Sequence, residues 1–289
     1  MPLRKPAMPR HDACAEAVNV GRAPTLATER VAETGSTNAD LLAWVRNAAA
    51  GTPLEPRLLV ADRQTAGRGR RGRHWQATPG ASLTFSLAWP MAGSTDLAGL
   101  SLAVGVALVE AIDAQPAEAL HVGLKWPNDL WLVGTDEAGR KLAGVLIETA
   151  PLGEGRVAVI GVGINVRAQH VDEASSGVAW LREIDADMTP ERLLERVAPA
   201  LVEALRNFER AGFAAFLPGY AARDLLRGKT IRCGAEGGTR IEGTAAGVSP
   251  SGELLVRTPG GIERIVSGEV SVRLGEADAQ PPASARAPC

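Results

Sequence analysis

The sequence predicts an α/β protein with a mixed, mainly antiparallel sheet and a small all-β unit at its C-terminal end. Three observations carry this. Strand-like segments at residues 28–33, 57–62 and 82–89 are interleaved with helical patterns, residues 130–166 read as strands joined by glycine turns, and from Leu226 onward five short strands are punctuated by glycine. A chain of 289 residues, 45% of them hydrophobic, suits one or two domains with a sizeable buried core.

Residues 1–24 hold four prolines and no periodicity, which predicts a disordered lead-in. After the first strand, Ser36 or Thr37 can cap a helix whose face carries Leu41, Val45 and Ala48 and which ends near Gly51. The second strand, residues 57–62, and the third, residues 82–89, flank a glycine- and arginine-rich loop. In the third strand Leu83, Phe85, Leu87 and Trp89 alternate with smaller or polar residues. Residues 97–114 are apolar on nearly all sides, as expected of a helix buried between layers. Strands at 130–133, 141–148 and 156–166 then form an antiparallel meander. Thr189 and Pro190 open another helix that reaches about Arg210, and Pro199 is expected to bend or interrupt it. The five C-terminal strands describe a small β-barrel, and the Pro- and Ala-rich tail is expected to be disordered. The predicted organisation is a lead-in over 1–24, a main domain over 25–224, a barrel over 225–275 and a tail over 276–289.

Formal net charge is −2, so the chain is not a globally basic nucleic-acid binder. Cys14, Cys233 and Cys289 form no CxxC pair, which argues against a disulfide framework or a thiolate metal site and fits a reducing compartment. A cytoplasmic location is expected. No run of about 18 apolar residues could span a bilayer, and residues 1–24 lack an apolar run of signal-peptide length, so no membrane partner is expected.

The densest local feature is QTAGRGRRGRHW, from Gln64 to Trp75. Arg68, Arg70, Arg71 and Arg73 are interleaved with Gly67, Gly69 and Gly72, a pattern suited to binding an anion. Glycine allows close backbone approach, and guanidinium groups bind phosphate or carboxylate oxygens in pairs at any physiological pH. The segment literally satisfies G-x-G-x-x-G, but a strand follows it instead of a helix, and no acidic residue stands about 20 positions further on. The kinase, P-loop and KH readings fail on comparable grounds. A plain solvated basic turn is the bland alternative.

Three further segments belong with this loop: Ser36, Thr37 and Asn38; KWPND, from Lys125 to Asp129; and KLAG, from Lys141 to Gly144. Behind them stands GVGIN, which ends at Asn165. With these motifs in this order, the one at Lys141 running as KLAG-x-L-x-E to Glu148, the chain resembles the biotin protein ligases over about residues 28–275. The resemblance implies a catalytic domain related to class II aminoacyl-tRNA synthetases and lipoate ligases, plus an SH3-like C-terminal barrel. It also implies a two-step reaction that uses biotin and ATP with Mg²⁺. The biotin carboxylate attacks the α-phosphate to give biotinyl-5'-AMP and pyrophosphate, and a lysine of a biotin carboxyl carrier domain then attacks the mixed anhydride. Some relatives carry an N-terminal winged helix that binds operator DNA. The first strand here begins near Thr28, so the resemblance is to the monofunctional form, with no DNA partner expected and a monomer or weak homodimer as the state.

The resemblance places Ser36, Thr37 and Asn38 at the ureido end of biotin, where they can also simply cap the first helix. Gln64, Arg68, Gly69 and Arg70 match biotin-contacting positions, and Arg70 is the partner expected for the activated phosphate. Arg71 is placed with the nucleotide. Trp75 either packs over the bound ligand or anchors the loop to the core. Lys125 and Lys141 are expected near the carboxylate and α-phosphate, so that Arg70, Lys125 and Lys141 form the catalytic set. Gly144 and Gly163 would let the ligand lie against backbone, or else mark tight strand packing. Asn128 and Asn165 are expected to hold the nucleotide or its metal-bound phosphates. No protein-built metal cage is expected, and Mg²⁺ would enter with ATP. A lipoate or octanoate ligase is the nearest alternative, and a non-enzymatic nucleotide or RNA binder a distant one.

Overall fold

The computed structural model describes residues 26–48, 53–113, 120–135, 139–169, 171, 177–234, 240–266 and 269–272. The expected lead-in over 1–24 and tail over 276–289 lie outside these residues. Seven strands form one sheet: β1 (Ala27–Thr34), β2 (Arg57–Gln64), β3 (Ser82–Met91), β4 (Leu120–Lys125), β5 (Asp129–Gly134), β6 (Arg140–Leu152) and β7 (Gly155–Asn165). Their spatial order is β1-β2-β3-β7-β6-β5-β4, with β1 and β2 parallel and every other pair antiparallel. The fold class is therefore the expected one, a mixed and mainly antiparallel sheet. The chain crosses from β3 to the far edge at β4 through α2 (Leu100–Ile112) and returns by hairpins until β7 pairs with β3.

Helix α1 (Thr37–Arg46) connects the parallel pair and packs Leu41, Leu42 and Val45 on Leu59, Ala88, Val157 and Val159. Ser36 is its N-cap, with Oγ accepting from the Ala39 N–H at 3.5 Å. The helix is shorter than its apolar pattern suggests, because the Asn47 N–H bonds back to Ala43 O and leaves Ala48 outside it. The opposite face of the sheet carries α2 and α3 (Pro190–Ala211). Helix α2 begins at Leu100 instead of Leu97, because Gly99 takes a left-handed φ of 77° and packs closely on Phe213. Helix α3 continues through Pro199 without the expected break. Leu193, Val197, Leu201 and Leu205 on either side of the proline are all buried, and each stabilises by roughly 1.5–3 kcal/mol, enough in sum to offset one lost backbone hydrogen bond.

A short helix, α4 (Leu217–Arg223), leads to the C-terminal strands β8 (Thr230–Gly234), β9 (Arg240–Val248), β10 (Leu254–Thr258), β11 (Gly261–Ile265) and β12 (Glu269–Val272). They form one antiparallel sheet in the order β11-β10-β9-β8-β12. Its buried residues Ile231, Cys233, Leu254 and Val256 are continuous with the main core. The joint is specific. The Leu225 N–H donates to Leu124 O at 3.0 Å and covers the outer edge of β4, while Arg223 pairs with Asp113 at 2.9 Å. The Trp126 indole donates to Gly252 O at 3.0 Å, so the C-terminal sheet holds the turn that joins β4 to β5.

Candidate active site

Side-chain alternation sorts the central strands into two faces. On β7, Ala158, Ile160, Val162 and Ile164 enter the large core, so Gly161, Gly163 and Asn165 face the side of α1. Strand register sets Ser86 and Leu146 on either side of Gly161, and Thr84 and Gly144 on either side of Gly163. The sheet therefore has a floor of Gly161, Gly163 and Gly144 over which a ligand or another chain segment can lie directly on backbone.

One end of this floor is lined by hydroxyl and amide groups and holds no cation among the described residues. The Thr37 N–H donates to Gln64 Oε1 at 2.8 Å, and Thr37 Oγ1 lies 2.6 Å from Ser86 Oγ. Ser86 Oγ donates to Asn38 Oδ1 at 2.6 Å, and Asn38 Nδ2 donates to Glu148 Oε2 at 2.9 Å. The α1 N-terminus brings Thr37 and Asn38 to the floor because Ser36 fixes its first turn. Ser36, Thr37, Asn38, Gln64 and Ser86 are all buried.

The other end is cationic. Lys141 Nζ reaches Asp129 Oδ1 at 2.8 Å and stands over Gly144. Lys125 lies over the Trp131 ring, 3.9 Å from its centroid. Burial pushes the Lys125 ammonium below the usual lysine range; Asp129 opposes the shift, and Lys141 and Arg73 reinforce it. Lys141 and Lys125 share the Asp129 carboxylate, so two ammonium groups stand at this end of the floor, a setting suited to an anionic ligand.

The arginine segment closes the site from above as a hairpin. Gln64 bridges Ala77, Arg68 bridges His74, the Trp75 N–H donates to Gly67 O at 2.9 Å and the Gly69 N–H to Arg73 O at 2.7 Å. Its tip is a single tight turn over Arg70–Gly72, with Arg71 at φ 57°. A non-glycine residue held in the left-handed region is the kind of strain that clusters at ligand clamps. The hairpin arches across the sheet. The Trp75 ring lies on Gly163, where an added methyl carbon would sit 2.2 Å from it, and Arg70 Nη1 points at Asn128 Oδ1 at 3.5 Å.

The structure thus gathers Ser36, Thr37, Asn38, Gln64, Arg70, Trp75, Lys125, Lys141, Gly144 and Gly163 around one floor. Arg68 and Gly69 are in the stem and neck of the hairpin, and Arg71 is exposed at its tip. Asn128 is also a backbone clamp: its Nδ2 donates to Val145 O at 2.8 Å, and Val145 N–H donates to Asn128 O at 3.0 Å. Asn165 lies at the rim, its Oδ1 accepting from Gln169 Nε2 at 3.1 Å. Sequence reasoning missed Ser86, Glu148, Gly161, Asp129 and Trp131. A signal existed for some of them. Ser86 is one of three polar residues, with Ser82 and Thr84, on the alternate face of β3; Gly161, Asp129 and Glu148 stand inside motifs already singled out; and two converging lysines require a counter-charge.

The chain is a member of the Biotin/lipoate A/B protein ligase family, whose model matches residues 47–165. A second model, the Biotin protein ligase C terminal domain, matches residues 228–273, which narrows the grouping to the biotin protein ligases. Similar proteins agree. The Biotin--[acetyl-CoA-carboxylase] ligase of Mycobacterium tuberculosis is 35% identical over 251 residues, covering 83% of this chain and 86% of that one. The Bifunctional ligase/repressor BirA of Salmonella typhimurium is 35% identical over 221 residues, which are 75% of this chain and 67% of the relative. Among solved structures, the biotin protein ligase of Aquifex aeolicus in complex with biotin and ATP has a TM-score of 0.69 and 32% identity, covering 85% of this chain and 98% of that one. No helix of the described residues is long and apolar enough to cross a membrane.

Proposed function

We infer that the protein is an ATP-dependent biotin protein ligase. The observation that carries this is the division of the floor into a neutral hydrogen-bonding end at Thr37, Ser86 and Asn38, level with Gly161, and a cationic end at Lys141 and Lys125, with Lys141 over Gly144. An acid with an uncharged polar head and a carboxylate tail matches both ends at once. Lipoate or octanoate would set an apolar group against these hydroxyl and amide groups and leave unused the lone pairs that a polar head could meet.

In the first step the biotin carboxylate attacks the α-phosphorus of ATP, the bond to the β-phosphate breaks and pyrophosphate leaves. A carboxylate is ionised at neutral pH, so the protein has to align and neutralise like charges and needs no general base here. Lys141 and Lys125 approach from the floor and Arg70 from the hairpin. Mg²⁺ arrives as part of the MgATP substrate. In the second step a neutral lysine amine of a carboxyl carrier domain attacks the acyl carbon, and AMP leaves as the amide forms. The hairpin, with Trp75 against Gly163 and Arg70 at the turn between β4 and β5, acts as the lid that keeps the anhydride from water. The division of labour between a main domain over 25–224 and a C-terminal barrel over 225–275 belongs to this reading. So does a soluble cytoplasmic enzyme that acts as a monomer or weak homodimer without DNA.

ATP–pyrophosphate exchange measured in parallel with biotin, lipoate, octanoate and no acid tests the assignment. Exchange should depend on biotin, and dependence on lipoate or octanoate in its place would overturn the reading. Arg70→Gly should preserve adenylate formation within about tenfold, since the two lysines remain, while releasing biotinyl-AMP into solution and labelling non-target lysines. Retention equal to that of the unaltered protein would remove Arg70 from the lid.

A further inference from the structure

We propose that Glu148 is a positioning residue that fixes the direction of every hydrogen bond in the biotin-reading network, and so sets which groups of the ligand's ring urea that network accepts. The proposal rests on the functional reading above, in which Glu148 closes the motif that opens at Lys141 but is given no role. Glu148 projects from β6 on the same face as Gly144, with Leu146 between them, and approaches the floor from behind Asn38.

The argument is a count of protons. Asn38 Nδ2 faces two groups, Glu148 Oε2 at 2.9 Å and Leu146 O at 3.3 Å. An ionised carboxylate and a carbonyl can only accept, so the amide nitrogen must point at them and the amide oxygen must point back into the site. Asn38 Oδ1 then requires a donor, and Ser86 Oγ–H supplies it at 2.6 Å. Ser86 has one proton and has used it. The 2.6 Å contact between Thr37 Oγ1 and Ser86 Oγ must therefore be donated by Thr37. Thr37 has likewise used its only hydroxyl proton. Its 3.1 Å approach to Gln64 Oε1 carries none, and Gln64 Oε1 is satisfied by the Thr37 backbone N–H.

The chain consequently runs one way, from Thr37 through Ser86 and Asn38 to Glu148. With no hydroxyl proton left over, the lone pairs of Thr37 Oγ1 and Asn38 Oδ1 are what remain for a ligand, and they accept N–H donors. A urea N–H is such a donor. If the amide of Asn38 turned over, Ser86 would accept from it and donate to Thr37, whose proton could then pass to Gln64 Oε1, and the ligand would lose Asn38 Oδ1 as an acceptor. Two acceptors behind Asn38 resist that reversal, and the carboxylate is the charged and closer one.

The test is steady-state exchange on the full chain with Glu148→Ala and Glu148→Gln, using biotin and a biotin analogue methylated on a ring nitrogen, which lacks one N–H. Glu148→Ala should raise the KM for biotin by ~10-fold, leave kcat and the KM for ATP within about twofold, and shrink the preference for biotin over the methylated analogue by a similar factor. Glu148→Gln keeps an oxygen that can accept from Asn38 and should restore the KM to within about threefold of the unaltered protein. An unchanged KM in the alanine variant would overturn the proposal. So would a joint fall of kcat, both KM-derived affinities and melting temperature, which is the pattern of a merely structural residue. Exchange by the unaltered protein that follows lipoate and not biotin would overturn the functional reading first, and this proposal with it.

Discussion

Lys141→Ala is expected to lower biotin-dependent ATP–pyrophosphate exchange by about 10²–10³-fold, the loss seen when one preorganised electrostatic group is removed from a reacting centre. The position of the group is the reason. Lys141 Nζ stands over Gly144 and is the only cation whose ion pair to Asp129 the structure defines within the floor among the described residues. Charge moves from the carboxylate and α-phosphate towards the leaving pyrophosphate during adenylation, and a compact ammonium can follow that movement. Stability sets a competing effect. Removing Lys141 strands Asp129 beside Lys125, but both partners of the pair are partly exposed, at 31% and 20%, so solvent screening holds the penalty to roughly 1 kcal/mol. That is far smaller than the kinetic effect.

The double variant Lys141→Ala with Asp129→Asn separates the two. It removes the stranded carboxylate and should recover the melting temperature without recovering exchange. Lys125 also changes in the single variant. Lys141 contributes to holding the Lys125 ammonium down, so its removal relaxes that shift, while burial, the largest cause, remains. Exchange within about fivefold of the unaltered protein in Lys141→Ala would place the reacting carboxylate elsewhere.

Much of this architecture was written in local pattern. The alternation in residues 82–89 identified β3, the glycine turns identified the hairpins between β5, β6 and β7, and Ser36 announced the start of α1. Each of these signals is decided by neighbours within a few residues. The closure of the sheet was not legible, because pairing of β3 with β7 joins residues 65 to 83 positions apart and leaves no trace in either strand alone. The uninterrupted α3 was misjudged for a related reason. Pro199 carries a local penalty, and the burial of Leu193, Val197, Leu201 and Leu205 that offsets it is tertiary.

The site shows the same division. Arg70, Lys125 and Lys141 stood out as charged residues in odd places, and glycine motifs marked the floor. Ser86 did not stand out, and Glu148 closed a motif without a role, since a serine and a glutamate on strands have ordinary surface explanations. Only the packing of α1 against β3, β6 and β7 makes them partners of Asn38. Trp75 had two readings, as a cover for the ligand or an anchor for the loop. Its ring lies on Gly163, with Nε1 buried and without a hydrogen-bond partner among the described residues, so it anchors the hairpin at the very place where a ligand would lie.

That overlap makes Gly163 the most sensitive position of the floor. Gly163→Val is expected to reduce biotin-dependent exchange by about 10²-fold or more, because displacing a lid or ligand by roughly 1 Å is enough for a loss of that size. A Cβ at Gly163 would stand 2.2 Å from one Trp75 ring carbon and 2.5 Å from another, so the ring has to leave the floor. Valine suits a β-strand better than glycine does, and the clash falls on a side chain carried by a hairpin that can lift. The change in stability should therefore stay near or below about 1–3 kcal/mol, the usual range for overpacking, while function collapses. Gly144→Ala supplies the comparison. Its Cβ would meet Lys141 Nζ at 3.4 Å, a contact that the flexible lysine can absorb, so exchange should fall by no more than about tenfold. Equal losses at the two glycines would mean that the floor acts through strand packing, whereas a steep loss confined to Gly163, with biotinyl-AMP escaping into solution from whatever turnover remains, would locate the seal of the site under Trp75.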